Sequence, residues 1–360
     1  MFFLLATAAA VKADDFTYEI DEDTGTITIT KYTGSGGAVS IPPTIDGTNV
    51  TSIGYKAFYS CTSLTSVTIP DSVTSIGIAV FDECGSLTNM TIGSNVTAIG
   101  ESAFAWCTSL PAITVNASNS IYCSMAGVLF NKDQTTLIQY PGGKTGSDYM
   151  IANSVTSIGP GAFVDCTNLT SVTIPDSVTS IGDSAFSYCT SLADVTIPDS
   201  VTNIGVNAFY SCASLDGVTI PNSITIIGDG AFSSCTNLTG VFFKGNAPGF
   251  VGSDIFSGAD NATVFYLPGA TGWETPFGGL TPVLWSPRIP GDANFGVLTN
   301  GFGFAISATN NLVAVVDACT NLVNPVWSPV GTNTFRGDTS YFNDLQWTNH
   351  PVRFYRLRMP

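Results

Sequence analysis

Apolar positions recur along this chain at a step of 23 residues, a period that belongs to neither a lone strand nor a lone helix. The unit at 178–200 reads VTSIGDSAFSYCTSLADVTIPDS. It returns at 201–223 as VTNIGVNAFYSCASLDGVTIPNS and precedes itself at 155–177 as VTSIGPGAFVDCTNLTSVTIPDS. The same unit opens an array at Val50, Val73 and Val96 and closes it at Ile224. Self-similarity at a fixed step of about 20–30 residues is the mark of a solenoid.

One unit shows an inward set of Val73, Ile76, Phe81, Cys84, Leu87 and Ile92. Another shows Val178, Ile181, Ala185, Phe186, Cys189, Leu192, Val195 and Ile197. Val195-Thr196-Ile197 alternates in-out-in, which predicts a short strand. Pro198 has no backbone N–H and ends that strand at a turn, and Gly182 marks the next corner, where the chain bends without a Cβ. A single unit cannot bury its apolar side. Stacked at about 4.8 Å per coil, the strands pair into a parallel sheet and the apolar columns merge into one core.

The flanks differ from the repeat. Residues 14–49 carry FTYEI and TITITKY around the turn DEDTG, a hairpin that would cap the open edge of the first coil. The array, 50–248, is interrupted at 116–154 by GVLFNKDQTTLIQYPGG, which reads as a hairpin turning at 131–134. That insertion is either a functional elaboration of one face or an irregular coil that keeps the stack continuous. Beyond Ile224 the pattern decays into a Gly/Pro-rich C-terminal cap at 249–284. Residues 285–360 then offer short strands at 301–306, 312–319, 326–335, 340–347 and 353–359, which predicts a small β-sandwich-like domain.

The run L-x-x-V-x-I-P with I-G-x-x-A-F-x-x-C resembles the BspA-like class of bacterial leucine-rich repeats, in seven units between residues 50 and 248. Val80 replaces Ala in the second unit, and Pro111 follows Leu110 in the third, just before the interruption. The resemblance implies surface adhesion and protein binding. The C-terminal strands resemble a module of secreted bacterial proteins that ends in FYRLR-like runs.

Composition narrows the partners. Net charge is −16, with 23 acids and six lysines before Trp285; every Arg lies after it. Clustered basic residues for phosphate are missing, which argues against nucleic acid and anionic membranes. Residues 1–13 (MFFLLATAAAVKA) read as a secretory signal without the usual basic start, too short for a membrane span. A secreted or cell-surface location follows.

Nine cysteines in an exported chain suggest disulfides, but Cys61, Cys84, Cys107, Cys166, Cys189, Cys212 and Cys235 share one repeat position. Stacked equivalents present parallel Cβ vectors about one strand apart, too far and wrongly aimed to bridge, so buried free thiols bonded to backbone are expected. Cys123 and Cys319 lie outside this ladder. Threonines form two columns, one in V-T-I (Thr68, Thr91, Thr114, Thr173, Thr196, Thr219) and one in V-T-x-I (Thr51, Thr74, Thr97, Thr156, Thr179, Thr202, Thr225); strand propensity explains them more simply than ice binding.

Tyr59, Trp106, Tyr188 and Tyr210 fall outside the inward set and form the candidate ligand-contact residues, either stacking on sugars or anchoring a protein, or else covering the seam between coils. Catalysis has little support. There is one histidine, His350, and five scattered glutamates; Asp194 and Asp216 could form an acid pair, and Asp21, Asp23, Asp254 and Asp260 could hold calcium weakly. Nucleophile-elbow, zinc-protease, phosphate-loop and EF-hand motifs do not occur. No catalytic residue, metal site or cofactor is therefore expected. The leading expectation is a non-catalytic exported scaffold that binds extracellular protein or polysaccharide. A spacer without a ligand is the alternative, and a secreted carbohydrate-active enzyme the remote one.

Overall fold

The computed structural model describes residues 13–273, 276–290, 295–298, 301–308, 312–335, 339–350 and 352–360. The expected secretory segment lies outside them up to Ala13.

The chain is a solenoid of parallel β-sheets with a small antiparallel β domain after it. Each coil contributes two strands. The V-T-I stretch gives one, such as Asp194–Thr196 paired parallel to Ser171–Thr173 with Val195 opposite Val172. The V-T-x-I stretch gives the other, a two-residue strand such as Ser180–Ile181, whose Ile181 lies opposite Ile204. Between them the A-F-x-x-C segment turns the chain. Its phenylalanines form a column of stacked rings: Phe163–Phe186 at 4.8 Å, Phe186–Phe209 at 5.1 Å and Phe209–Phe232 at 5.2 Å, with planes within 10° of parallel. Gly182 is required by close approach rather than by an unusual bend, because a Cβ there would lie 2.7 Å from the backbone nitrogen of Pro160 in the preceding coil.

The second threonine column has a role beyond strand propensity. Five of its seven Oγ1 atoms donate to the carbonyl of the equivalent threonine one coil earlier, among them Thr179 to Thr156 at 3.2 Å, Thr202 to Thr179 at 3.3 Å and Thr225 to Thr202 at 3.1 Å, whereas Thr51 and Thr156 donate to Thr26 Oγ1 and the Thr135 carbonyl. Ser200 and Ser223 do the same at another corner, to Val178 and Val201, both at 2.6 Å. Coil is thus tied to coil by side chain as well as by sheet.

At the N-terminus, Phe16–Asp21 and Thr26–Tyr32 form an antiparallel hairpin whose second strand pairs parallel with Thr48–Ile53. Asp21, raised above for calcium, accepts the N–H groups of Asp23 and Thr24 at 2.9 and 3.0 Å and so closes that turn; these bonds hold its carboxyl below the usual range.

The interruption is part irregular and part in step. Counting 23 back from Phe163, Val172 and Ile174 lands on Tyr140, Tyr149 and Ile151, and these occupy the same places: Tyr140 stacks on Phe163 at 5.3 Å and Tyr149 lies opposite Val172. Only 116–139 departs. There Tyr122–Met125, Val128–Asn131 and Thr136–Gln139 form an antiparallel meander, and the last strand resumes parallel pairing with Ser157–Ile158. The middle strand crosses the interior. Leu129 belongs to the N-terminal core that begins at Phe16, whereas Val128 and Phe130 belong to the C-terminal core that runs to Phe277. It is a septum between two halves of the stack.

The segment expected as a cap, 249–284, continues both sheets before it ends. Phe250–Val251 extends one and Thr263–Tyr266, followed by Val283–Leu284, the other. Its coil is one residue longer, so Phe256 rather than residue 255 joins the ring column, at 6.1 Å from Phe232. The outward threonine also changes here: Phe242 stands opposite Thr219, and Phe265 opposite Phe242. These two rings stack at 5.2 Å and are buried in a third core with Trp285, Phe304, Ile306, Val316, Phe335 and Phe342. The C-terminal domain covers that face, with Trp285 Nε1 donating to the Val313 carbonyl and Thr219 Oγ1 to that of Pro360. Its two three-stranded antiparallel sheets contain a strand at each of the five expected places, plus Gly296–Leu298.

Candidate ligand-contact surface

The A-F-x-x-C turn has a fixed backbone. The residue before each ladder cysteine is left-handed, from φ 55° at Asp165 to 62° at Glu83. Ser60, Ser211 and Ser234 suit this conformation better than a bulky side chain does; Trp106 at φ 56° and Tyr188 at φ 60° are the exceptions. Large rings at strained positions call for a functional reading.

Three of the four aromatic residues come together. Trp106 and Tyr188 meet edge-to-face with ring centroids 4.7 Å apart, and Tyr188 meets Tyr210 at 5.2 Å. Two coils separate Trp106 from Tyr188, a backbone distance of about 14 Å at one strand spacing per coil. The rings can meet because the two intervening positions are Gly142 and Asp165. Gly142 and Gly143 press directly on the coil before them; a Cβ on Gly143 would lie 2.5 Å from the Ser109 carbonyl carbon. Tyr59 does not join. It is exposed, donates to Glu83 at 2.8 Å and carries the Lys56 ammonium 4.2 Å above its ring.

Asp165 sits in the interval the two rings bridge and is 6% exposed. Its loss of water pushes its carboxyl up to about 6. Asp82, on the neighbouring turn position, is also pushed up to about 6, first by burial and then by the charge of Glu83. An Asp that is harder to ionise folded than unfolded weakens the fold when charged. The share of stability set by these two carboxyls will therefore fall as pH rises from about 4 to about 6 and stay level above that. Asp165→Asn will remove about half of this slope and add about 1 kcal/mol at pH 7. Urea unfolding at pH 4 and pH 7 checks both signs.

The cysteine ladder lies directly beneath. Cys84, Cys107, Cys189, Cys212 and Cys235 each donate their thiol to the carbonyl of the phenylalanine 26 residues earlier, at 3.0–3.2 Å. Burial pushes Cys84, Cys189 and Cys235 up to about 12 and Cys107, Cys166 and Cys212 well above the usual thiol range. Cys61, the first of the ladder, differs from the expectation: it is half-buried. Cys123 is half-buried and bonds to the Asn131 carbonyl, while Cys319 is buried. Nine free thiols will be counted after unfolding, and under native conditions only Cys61 and Cys123 will react with Ellman's reagent at an appreciable rate.

Two more features of this surface escape a motif search. Tyr122 Oη accepts the Ile99 N–H at 3.0 Å, and Gln139, 3% exposed, donates its amide to the carbonyls of Tyr140, Gly161 and Ala162. Tyr140 was within reach of the 23-residue count; Tyr122 and Gln139 carry no periodic signal.

The model for the BspA-type leucine-rich repeat region matches residues 39–145 and 146–270 in six copies. The chain belongs to this family. Among solved structures, the crystal structure of the pneumococcal vaccine antigen PcpA is similar over 70% of this chain and 71% of that one, with a TM-score of 0.54 and 20% identity. A leucine-rich cell-surface protein of Faecalibacterium prausnitzii is 25% identical over 73% of this chain and 96% of its own, with a TM-score of 0.44. The leucine-rich-repeat protein of T. pallidum is 30% identical over 70% and 90%, with a TM-score of 0.30. A comparison with curated proteins gives no match. The family is one of repeat scaffolds, and no helix among the described residues is long and apolar enough to cross a membrane.

Proposed function

We propose that this BspA-type solenoid is a non-catalytic, exported or cell-surface scaffold that binds extracellular protein or polysaccharide through the strip Trp106–Tyr188–Tyr210. The observation that carries the reading is the contact between Trp106 and Tyr188 across two coils whose own side chains are withdrawn. Three large rings in a row, meeting edge-to-face and two of them on left-handed backbone, form an amphipathic strip of the kind that contacts sugars or anchors a partner. The C-terminal domain packs on the face that carries Phe242 and Phe265, and Trp106, Tyr188 and Tyr210 are not part of that core.

The test is a pull-down of the full chain on insoluble polysaccharides and extracellular-matrix proteins, beside Tyr188→Ala and Tyr210→Ala. Saturable binding that drops at least tenfold in both variants supports the strip. Binding that neither variant changes rejects it, and no binding by any form moves the weight to a spacer role, which the uniform threonine columns would then suit.

A further inference from the structure

Two loops at one end of the C-terminal domain depart from the rest of the surface. Cys319 lies opposite Phe354 and Ala318 opposite Ser328, so residues 320–327 leave the strands at the end where residues 345–353 arrive. Asp344, the last residue of Thr339–Asp344 in the other sheet, ties the two together: its Oδ2 accepts the Tyr355 hydroxyl and the Arg353 guanidinium, both at 2.8 Å. Contacts with the solenoid enter at the opposite end. There Arg288 bridges to Ser307, Trp285 Nε1 reaches the Val313 carbonyl, and Thr219 reaches the carbonyl of Pro360. The loops thus lie at the end away from those contacts.

Five exposed aliphatic side chains gather on them: Leu322, Val323 and Val326 on the first, Leu345 and Val352 on the second. Val323 is 86% exposed and Val326 80%, so both project from the domain instead of packing on it. Trp327 and Trp347 flank them half-buried, one with the Arg356 guanidinium 4.5 Å over its ring and the other 6.5 Å from the ring of Phe302. Neither TNLVNPVW at 320–327 nor LQWTNHPV at 345–352 holds an Asp or Glu, in a chain of net charge −16. The carboxylates at the loop bases, Asp317 and Asp344, are buried and already hold Arg356, Arg358 and Arg353. An apolar end without free negative charge, bordered by indoles, has the composition of an interaction surface.

We propose that this end docks the protein on a lipid bilayer: the five aliphatic side chains enter the boundary between headgroups and acyl chains, with the two indoles and Arg356 at headgroup level. Three observations favour a bilayer over other partners. Sugars stack on flat rings, and the methyl groups of valine and leucine offer none. A dry protein groove would strand the N–H groups of Leu322, Asn324 and Val326, which meet no acceptor among the described residues, whereas the headgroup layer supplies water and phosphate oxygens. Charge agrees as well. Anionic lipid repels the acidic solenoid, so the end without free carboxylates is the one that approaches, and the exposed guanidinium of Arg356 adds attraction. The contact is interfacial and spans nothing; its strength scales with the apolar area that enters. It does not rest on the aromatic strip, which belongs to the solenoid and stays open to its own partner.

The test floats the full chain with mixed vesicles of phosphatidylcholine and phosphatidylglycerol. The protein is expected to co-float, and lipids brominated next to the headgroup are expected to quench its tryptophan emission. Val323→Asp combined with Val326→Asp will weaken partition at least tenfold and abolish the quenching. Both side chains are exposed, so this variant folds, and unchanged hydrogen exchange at Phe186 and Val316 reports it. Ile78→Asp with Met150→Asp adds the same charge at exposed apolar positions of the solenoid and will weaken partition at most threefold. High salt will weaken it less than tenfold, because insertion and not charge holds the contact. No co-flotation, partition that the loop variant keeps, an equal loss in the solenoid variant, or a tenfold loss in salt overturns the proposal. So does a soluble protein captured through the loops by a chain that ignores vesicles. Failure here leaves the pull-down result on Tyr188 and Tyr210 unaffected, so the two readings fail separately.

Discussion

Phe186→Ala will destabilise the C-terminal half of the solenoid by about 3–5 kcal/mol, the range for a fully buried phenylalanine truncated in a core that cannot close around the loss. Phe186 has no exposed surface and is held between Phe163 and Phe209, with planes tilted by only 10° and 4°. Its backbone is bonded to the coil above through the Ala208 carbonyl, and its own carbonyl receives the Cys212 thiol at 3.1 Å. Collapse into the space is therefore opposed on both sides by coils of fixed spacing. The septum makes the effect local. Phe186 belongs to the core that starts at Val128 and runs to Phe277, whereas Phe81 belongs to the other. Guanidinium unfolding followed by hydrogen exchange will show Phe186→Ala loosening amides from about residue 140 onward, and Phe81→Ala loosening those before residue 116, because repeat stability is a sum of nearest-neighbour terms. A loss under 1 kcal/mol, or identical exchange patterns for the two variants, would show that the column is not a continuous packed element.

The period carried most of the fold on its own. A 23-residue step that repeats Val, Ile, Ala-Phe, Cys, Leu and Val-x-Ile leaves each coil unable to bury its apolar side alone, so stacking and the column of rings follow from Phe163, Phe186 and Phe209 directly. Two parts were hidden for definite reasons. The end of the array was obscured because Phe256 arrives one residue late and because Phe242 and Phe265 replace outward threonines, so decay of the motif looked like a cap when it is the surface on which another domain sits. The septum was hidden because Tyr122, Leu129 and Gln139 carry no 23-residue signal. The aromatic strip was readable as a set of four residues. Its membership was not, since Trp106 reaches Tyr188 only where Gly142 and Asp165 leave room, and Tyr59 is held away by Glu83 and Lys56.

Asp317→Ala will cost the C-terminal domain about 2–3 kcal/mol and will release it from the solenoid before the stack itself unfolds. Asp317 lies within the strand Val313–Cys319, opposite Arg356 of Phe354–Arg358, and is 2% exposed. Its Oδ2 accepts Arg356 Nε and Nη2 at 3.1 and 3.0 Å, and both oxygens accept Arg358 Nε at 3.1 and 3.0 Å. Removing one member of a buried ion pair typically costs about 3–5 kcal/mol, because the remaining charge is stranded. Here both guanidinium groups are more than 40% exposed and recover water, which brings the expectation to the lower figure. Arg356 also lies 4.5 Å over the Trp327 ring, so the variant loosens the anchor of that indole. Asp317→Asn keeps the shape and one accepting oxygen and will cost about half as much. Release of the domain uncovers Phe242, Phe265 and Trp285, so the variant will gain protease sensitivity after residue 285 and a red-shifted tryptophan emission while the Phe186 amide stays protected. That combination separates a domain held on the solenoid by its own folded state from one whose strands merely extend the stack: in the second case Phe186 protection would fall with the emission, and the domain would be part of the same cooperative unit.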